Sequence, residues 1–462
     1  MASLADWLYA STFRLKFARA SQKFWLRPFL TLLALLAWPA TSRSATLQLH
    51  AHLTHVDSGR GFTQGELLGR MVARSRARAA KLCPSGPGGA VTVPAVSSSG
   101  VIGSTEYLIH LGIGTPRPQH VALEVDTGSN VIWTQCTPCF KCFDQRFPKF
   151  NTSASDTVHG VACSNQLCQG LQRSSRACFL GGCAYRLVYG DKSVSMGQLA
   201  KDSFTFQQGK VVPDLAFGCG QYTTGNFSSN ESGFARGPLS LPGPLRVGSF
   251  SYCFTSIFES RSSPVFLGAP DDDLTAHATG PVLSTPFVRV PDSDVYYYLS
   301  LKGITVGKVR LPVPESAFTL KTDGSGGTII DSGTAITSFP RAVFRILREA
   351  FVSQVALPHM PYDDDGGPGE LQCFQTDSVP DASKVAVPKL ILHLEGGADW
   401  ELPRENYMAK HPNLDDQLCV VIDSAGDDLP TIIGNFQQQN MHIVYDLAGN
   451  KLLIVPAQCH NM

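Results

Sequence analysis

Two short strings, Val125-Asp126-Thr127-Gly128-Ser129 and Ile329-Ile330-Asp331-Ser332-Gly333-Thr334, repeat one pattern 205 residues apart. Each sets an aspartate at the end of an apolar run and follows it with glycine and small hydroxyl residues. Glycine at 128 and 333 permits a tight turn and a close backbone approach. Thr127, Ser129, Ser332 and Thr334 can hydrogen-bond the neighbouring carboxylate or the facing loop. Two carboxylates brought face to face cannot both ionise cheaply, so the pair holds one proton over an acidic pH window. The charged member can then activate a water while the protonated member polarises a carbonyl. One Asp-Thr-Gly is more often an ordinary turn. Two copies, each preceded by a strand, are a specific signal.

Strands must deliver these turns. Apolar runs bounded by Gly, Pro, Asn and Asp recur at Tyr107–Leu111, Val121–Val125, Leu215–Phe217, Tyr296–Leu301, Thr328–Ile330, Leu390–Leu394, Ile443–Tyr445 and Leu452–Val455. The clearest helix is Arg341–Val355, with Val343, Phe344, Leu347 and Phe351 at helical spacing. The stretch YLIHLGIG from Tyr107 is echoed by YLSLKGITVG from Tyr298, and each copy precedes one aspartate turn. Such duplication implies two similar β-lobes, each supplying one carboxylate. We therefore expect an all-β, bilobal chain with its cleft between lobes at 101–280 and 281–462. Only 16% of the 462 residues are charged, while 42 Gly and 30 Pro supply turns, which excludes a disordered chain or a helical bundle.

The front of the chain differs from the body. Residues 1–100 carry 12 Lys+Arg against 3 Asp+Glu, and the remainder 26 against 35. The apolar run Phe29–Ala37 follows basic residues and reads as the core of a signal peptide within 1–45, an organelle transit peptide being the alternative. Residues 46–100 form a basic unit: a helix-prone stretch, Glu66–Leu82, and a Gly/Pro/Ser linker from Cys83 to Gly100. This is the pattern of a removable leader that docks on an acidic body. The body holds twelve cysteines: Cys136, Cys139, Cys142, Cys163, Cys168, Cys178, Cys183, Cys219, Cys253, Cys373, Cys419 and Cys459. An even count in an exported chain implies disulfides. Glycosylation sequons stand at Asn151, Asn226 and Asn230.

Other signals weigh little. Cys136-x2-Cys139-x2-Cys142 has metal-like spacing, but lacks the fourth ligand of an iron–sulfur run, and an exported chain favours disulfides. Asp271–Asp273 and Asp363–Asp365 lack calcium-loop spacing and read as solvated turns. Gly324–Gly327 lacks the lysine of a phosphate loop. We expect no metal, no cofactor, no nucleic acid partner and no membrane anchor.

With these motifs in place, the body resembles the pepsin-type aspartic proteases, specifically the plant nepenthesin-like branch. The resemblance covers nearly all of residues 101–462. It rests on VDTGSNVIW (125–133), a Cys-rich insert (136–183) with CTPCFKCF and CSNQLC, YGDKS (189–193), FGCG (217–220), RGPLSLP (236–242), IIDSGT (329–334) and IIGNFQQQNMHIVYD (432–446). It implies a monomeric, secreted or vacuolar endopeptidase acting on protein substrates in acid, a plastid location being the alternative. It further implies Asp126 and Asp331 as the catalytic pair, with Ser129 and Thr334 as hydroxyl partners. Tyr189 would be the flap residue over substrate, with Trp133 as its hydrogen-bonding neighbour. The basic leader would inhibit the precursor by lying across the cleft until acid releases it. The implied disulfides are bridges inside the insert, one to Cys219, and the pairs Cys373–Cys419 and Cys253–Cys459. One departure stands out. The family braces each aspartate turn with an apolar-apolar-Gly strand, present as Ile432-Ile433-Gly434, whereas residues 230–236 read as that strand shortened by about three residues. A shortened brace would favour a catalytically impaired, inhibitor-like binding protein.

Overall fold

The aspartate turns of the two halves stand at the ends of equivalent strand pairs. In the first half Tyr107–Ile113 runs antiparallel to Gln119–Asp126, with Leu108 opposite Glu124. In the second, Tyr297–Leu299 runs antiparallel to Thr328–Ile330, with Tyr298 opposite Ile329. The echoed sequences are thus echoed in space, and the chain is all-β and bilobal as its strand pattern implies. The computed structural model describes residues 47–462 apart from 83–106, 189–192, 226, 228–229, 260, 269–275, 291–294, 323, 362–370, 380 and 427–428. The targeting segment, the linker with Cys83, Tyr189, Asn226, Asp271–Asp273 and Asp363–Asp365 lie outside the described residues.

Most strands form where sequence periodicity places them, within two residues at each end, but Leu215–Phe217 is the middle of a longer strand, Val211–Thr224, and Tyr296–Leu301 is divided between Tyr297–Leu299 and Leu301–Val306. Gln119–Asp126 is buried from Val121 onward, so its apolar run packs on both faces. The helix Arg341–Gln354 buries Val343, Phe344, Leu347 and Phe351, a single stripe at helical spacing. The halves are joined by Ser249–Cys253 pairing antiparallel with Met441–Asp446. Stacking of Phe250 on Tyr445, with ring centroids 4.4 Å apart, backs that seam.

Six disulfides staple the fold: Cys136–Cys219, Cys139–Cys142, Cys163–Cys178, Cys168–Cys183, Cys253–Cys459 and Cys373–Cys419. The Cys253–Cys459 bridge closes the longest loop, 206 residues, at the buried seam. Replacing both of these cysteines with serine should cost about 3–5 kcal/mol of stability, because long-loop closure restricts the unfolded chain most. A lowered urea midpoint checks this.

The leader is built into the same unit as the lobes. Its strand Leu49–His55 lies inside the large sheet, between Ser263–Leu267 and Tyr107–Ile113, and is antiparallel to both. Its helix runs from Gln64 to Leu82, two residues earlier than the sequence reading. A reciprocal cap sets the start: Thr63 N donates to Glu66 Oε2 at 2.8 Å, and Glu66 N donates to Thr63 Oγ1 at 3.2 Å.

Candidate active site

Each aspartate strand has a parallel neighbour threaded beside it. In the second half Thr431–Ile433 pairs with Thr328–Ile330. In the first half Asn230–Gly233 pairs with Leu123–Asp126, placing Gly233 opposite Asp126. The expected shortening is therefore corrected: the brace is complete. Glu231-Ser232-Gly233 fills the register that Ile432-Ile433-Gly434 fills in the other lobe, and a search for two apolar residues before glycine passed over it. Both glycines are required by proximity. A Cβ on Gly233 would lie 2.7 Å from Ser129 O and Val131 N, and one on Gly434 2.8 Å from Ala335 O and Thr337 N.

The turns lock to each other by crossed hydrogen bonds. Thr127 N donates to Ser332 Oγ at 3.1 Å, and Ser332 N donates to Thr127 Oγ1 at 2.9 Å. Each hydroxyl passes on to the opposite strand, Ser332 Oγ to Val125 O at 2.9 Å and Thr127 Oγ1 to Ile330 O at 3.4 Å. Gly128 N and Gly333 N donate to Asp126 Oδ1 and Asp331 Oδ1, both at 2.9 Å. Thr334 Oγ1 donates to Asp331 Oδ2 at 2.7 Å. Ser129, its counterpart in the first lobe, is not matched to Asp126 in this way: its buried Oγ finds no hydrogen-bond partner among the described residues. Both aspartates are fully buried.

A cation sits on the pair. Arg78, from the leader helix, places Nη2 2.6 Å from Asp126 Oδ1 and 3.5 Å from Asp331 Oδ2. Next to it, Ile336 N donates to Ser75 Oγ of the same helix at 2.6 Å. Burial works against charge on Asp126, but Arg78 and the Gly128 amide outweigh it and hold the carboxyl below the usual range. Asp331 moves the other way: burial, reinforced by the Asp126 charge and only partly offset by Arg78, pushes it up to about 6. These opposite directions favour an ionised Asp126 beside a protonated Asp331, the division of labour that water activation needs.

Trp133 is fully buried and donates its indole N–H to Glu231 Oε2 at 3.1 Å. The expected contact with Tyr189 falls on a residue outside those described. Asn151 is exposed, whereas Asn230 is 4% exposed and accepts a hydrogen bond from Gln135 N at 2.9 Å. Asn230 is thus corrected as a glycan acceptor, because the brace strand encloses its side chain. Arg78 and Glu231 are the site residues that sequence reasoning missed.

Known proteins resemble this chain in sequence and in fold. Residues 107–269 match a family model described as xylanase inhibitor N-terminal, and residues 296–455 one described as xylanase inhibitor C-terminal. The chain is 39% identical over 438 residues to aspartic proteinase nepenthesin-1 of Nepenthes gracilis, covering 91% of this chain and 95% of that one. It is 36% identical over 419 residues to nepenthesin-2 of the same plant, covering 89% and 90%. Aspartyl protease AED1 of Arabidopsis thaliana is 31% identical over 424 residues, covering 89% and 86%. Among solved structures, edgp aligns with a TM-score of 0.64 at 16% identity, over 90% of this chain and 96% of that one. Basic 7S globulin from soybean aligns at 0.61 and 16% identity, over 90% and 98%, and these two likenesses concern the fold alone.

Proposed function

Because the chain belongs to the plant nepenthesin-like family of pepsin-type aspartic proteases, we propose that it is an acid-acting endopeptidase made as a latent precursor. The observation that carries this is the buried, cross-braced pair Asp126 and Asp331, with Arg78 of the leader bridging both. In the mature enzyme Asp126 takes a proton from water and Asp331 donates one to the peptide carbonyl oxygen, so attack and polarisation occur together. Departure of Arg78 removes a positive charge that lowers both carboxyls, so both titrate at higher pH in the mature enzyme than in the precursor. Acid-treated protein incubated with denatured globin should release peptides, and a statine-type inhibitor should stop it. Correctly folded, leader-free protein that cuts nothing sinks the proposal.

Latency follows from the same contacts. The leader's own fold is fastened by Asp57, whose buried carboxylate takes Arg70 and Arg74 at 2.8 Å each. Burial opposes its charge, but the two guanidiniums prevail and hold its pKa below 3.8. A lowered carboxyl stabilises above its unfolded pKa and loses that contribution as pH falls through the folded one. Asp57 therefore loosens the leader as pH falls through its lowered value, and protonation of Asp126 weakens the pair it makes with Arg78. In an Asp57→Asn precursor one lock is already open, so conversion should begin about one pH unit higher. Mass spectrometry of the new N-terminus across pH checks this, and an unchanged conversion pH counts against it. The disulfides and the exposed Asn151 sequon support a secretory route, which N-terminal sequencing and fractionation would test.

A further inference from the structure

The two lobes depart from their pseudo-symmetry beside the aspartate turns. Where the second lobe sets Ile329 beside Ile432, packed with Tyr298, the first sets Glu124 beside Glu231 in the same parallel register. Both glutamates are buried, at 3% and 5% exposure. Alternation along the strand puts Glu124 on the same face as Asp126. A carboxyl placed where the fold accepts isoleucine has a desolvation cost and no packing reason to be there.

The surroundings of Glu231 show what it does. Trp133, opposite it on the antiparallel strand, donates to Oε2 at 3.1 Å. Arg78 and Tyr185 stand within electrostatic reach of the carboxyl. In this register Glu231 and Asp126 are diagonal neighbours on one face of the paired strands, which brings the Glu231 carboxyl towards that of Asp126. Asp126 Oδ1 already accepts from Gly128 and Arg78. Asp126 Oδ2 accepts from no amide or hydroxyl of the described residues, so it is the oxygen left for that carboxyl. Two carboxylate oxygens attract each other only with a proton between them.

We propose that Glu231 is a third acid of the site, a positioning residue whose O–H is donated to Asp126 and fixes Asp126 as the ionised member of the pair. On Asp331 the same outer oxygen takes the neutral hydroxyl of Thr334. On Asp126 a carboxylic acid replaces that hydroxyl. Burial and the Asp126 charge push the Glu231 pKa up to about 7, against the pull of Arg78, so it keeps its proton throughout the acidic range. Glu124 lies beside it and Arg78 faces all four acids in the precursor. Loss of Arg78 on maturation tightens the hold of Glu231 on its proton.

The kinetic consequence rests on the endopeptidase proposal. The proton on Glu231 does not. Two variants separate them: Glu231→Ile, which copies the second lobe, and Glu231→Gln, which keeps an N–H donor but cannot ionise. In the matured enzyme the acidic limb of kcat/KM should move up by about one pH unit in Glu231→Ile, because the Asp126 anion loses a donor. Glu231→Gln should keep the acidic limb in place. In the full-length chain at pH 6, the infrared difference between wild type and Glu231→Gln should show the carbonyl stretch of a protonated carboxylic acid. A Glu231→Ile profile that superimposes on wild type after scaling would mark a merely structural residue and overturn the proposal. So would the absence of the protonated-carboxyl band. If Glu231→Ile fails to fold, the infrared comparison decides. If wild type itself cuts no substrate, the endopeptidase proposal falls, and the infrared band still judges Glu231.

Discussion

An Asp331→Asn enzyme should cut denatured globin at least about a thousandfold more slowly than wild type at every acidic pH. Asparagine keeps the shape and can still accept from Gly333 N, so the turn and its crossed Thr127–Ser332 bonds remain. What disappears is the proton that Asp331 gives to the peptide oxygen. Asp126→Asn should be equally damaging, since an amide cannot take a proton from water. The double variant should be little worse than either single one, because the two act as a unit. Thermal melting close to that of wild type would show that the loss lies in chemistry. A single variant retaining near-normal turnover would remove the pair from the mechanism.

The second large effect concerns latency. Full-length Arg78→Ala should bind a statine-type inhibitor at pH 5–6 about a hundredfold or more tightly than wild-type precursor. Removing one partner of a buried ion pair typically costs 3–5 kcal/mol, and here that loss falls on the closed form alone. Arg78 is the contact between the helix Gln64–Leu82 and both acids, and its charge cannot be titrated away. Mass spectrometry must show the variant uncut during the measurement. Equal inhibitor affinity in variant and wild type would mean that another part of the leader blocks the cleft.

The aspartate pair was legible because Asp-[Thr/Ser]-Gly occurs twice, each time behind an apolar strand, and because the strands before them echo each other. Charge asymmetry showed that the leader belongs on the body. It could not single out Arg78 among Arg70, Arg74, Arg76 and Arg78, because helical period distributes arginines around an axis without saying which one meets a carboxylate 48 residues on. The Thr63–Glu66 cap was readable in Thr-x-x-Glu and would have placed the helix start. Glu231 was hidden by expectation: a brace strand reads as apolar, and Glu-Ser-Gly satisfies that pattern only at its glycine. Pairing with Glu124 on one side and Trp133 on the other reveals its place. Asn230 failed for the same reason, since a sequon is a property of three letters and burial is a property of the sheet.

The strand Leu49–His55 is held on both edges, by Ser263–Leu267 and by Tyr107–Ile113. While it remains tethered, its effective concentration at the sheet is in the millimolar range, so any spontaneous opening is followed by rapid return. Severing the tether changes the arithmetic: the freed fragment dilutes into its surroundings, and return becomes a bimolecular search. On the proposed reading, maturation is a ratchet, reversible up to the cut and one-way after it, so that a brief exposure to acid would leave a lasting change.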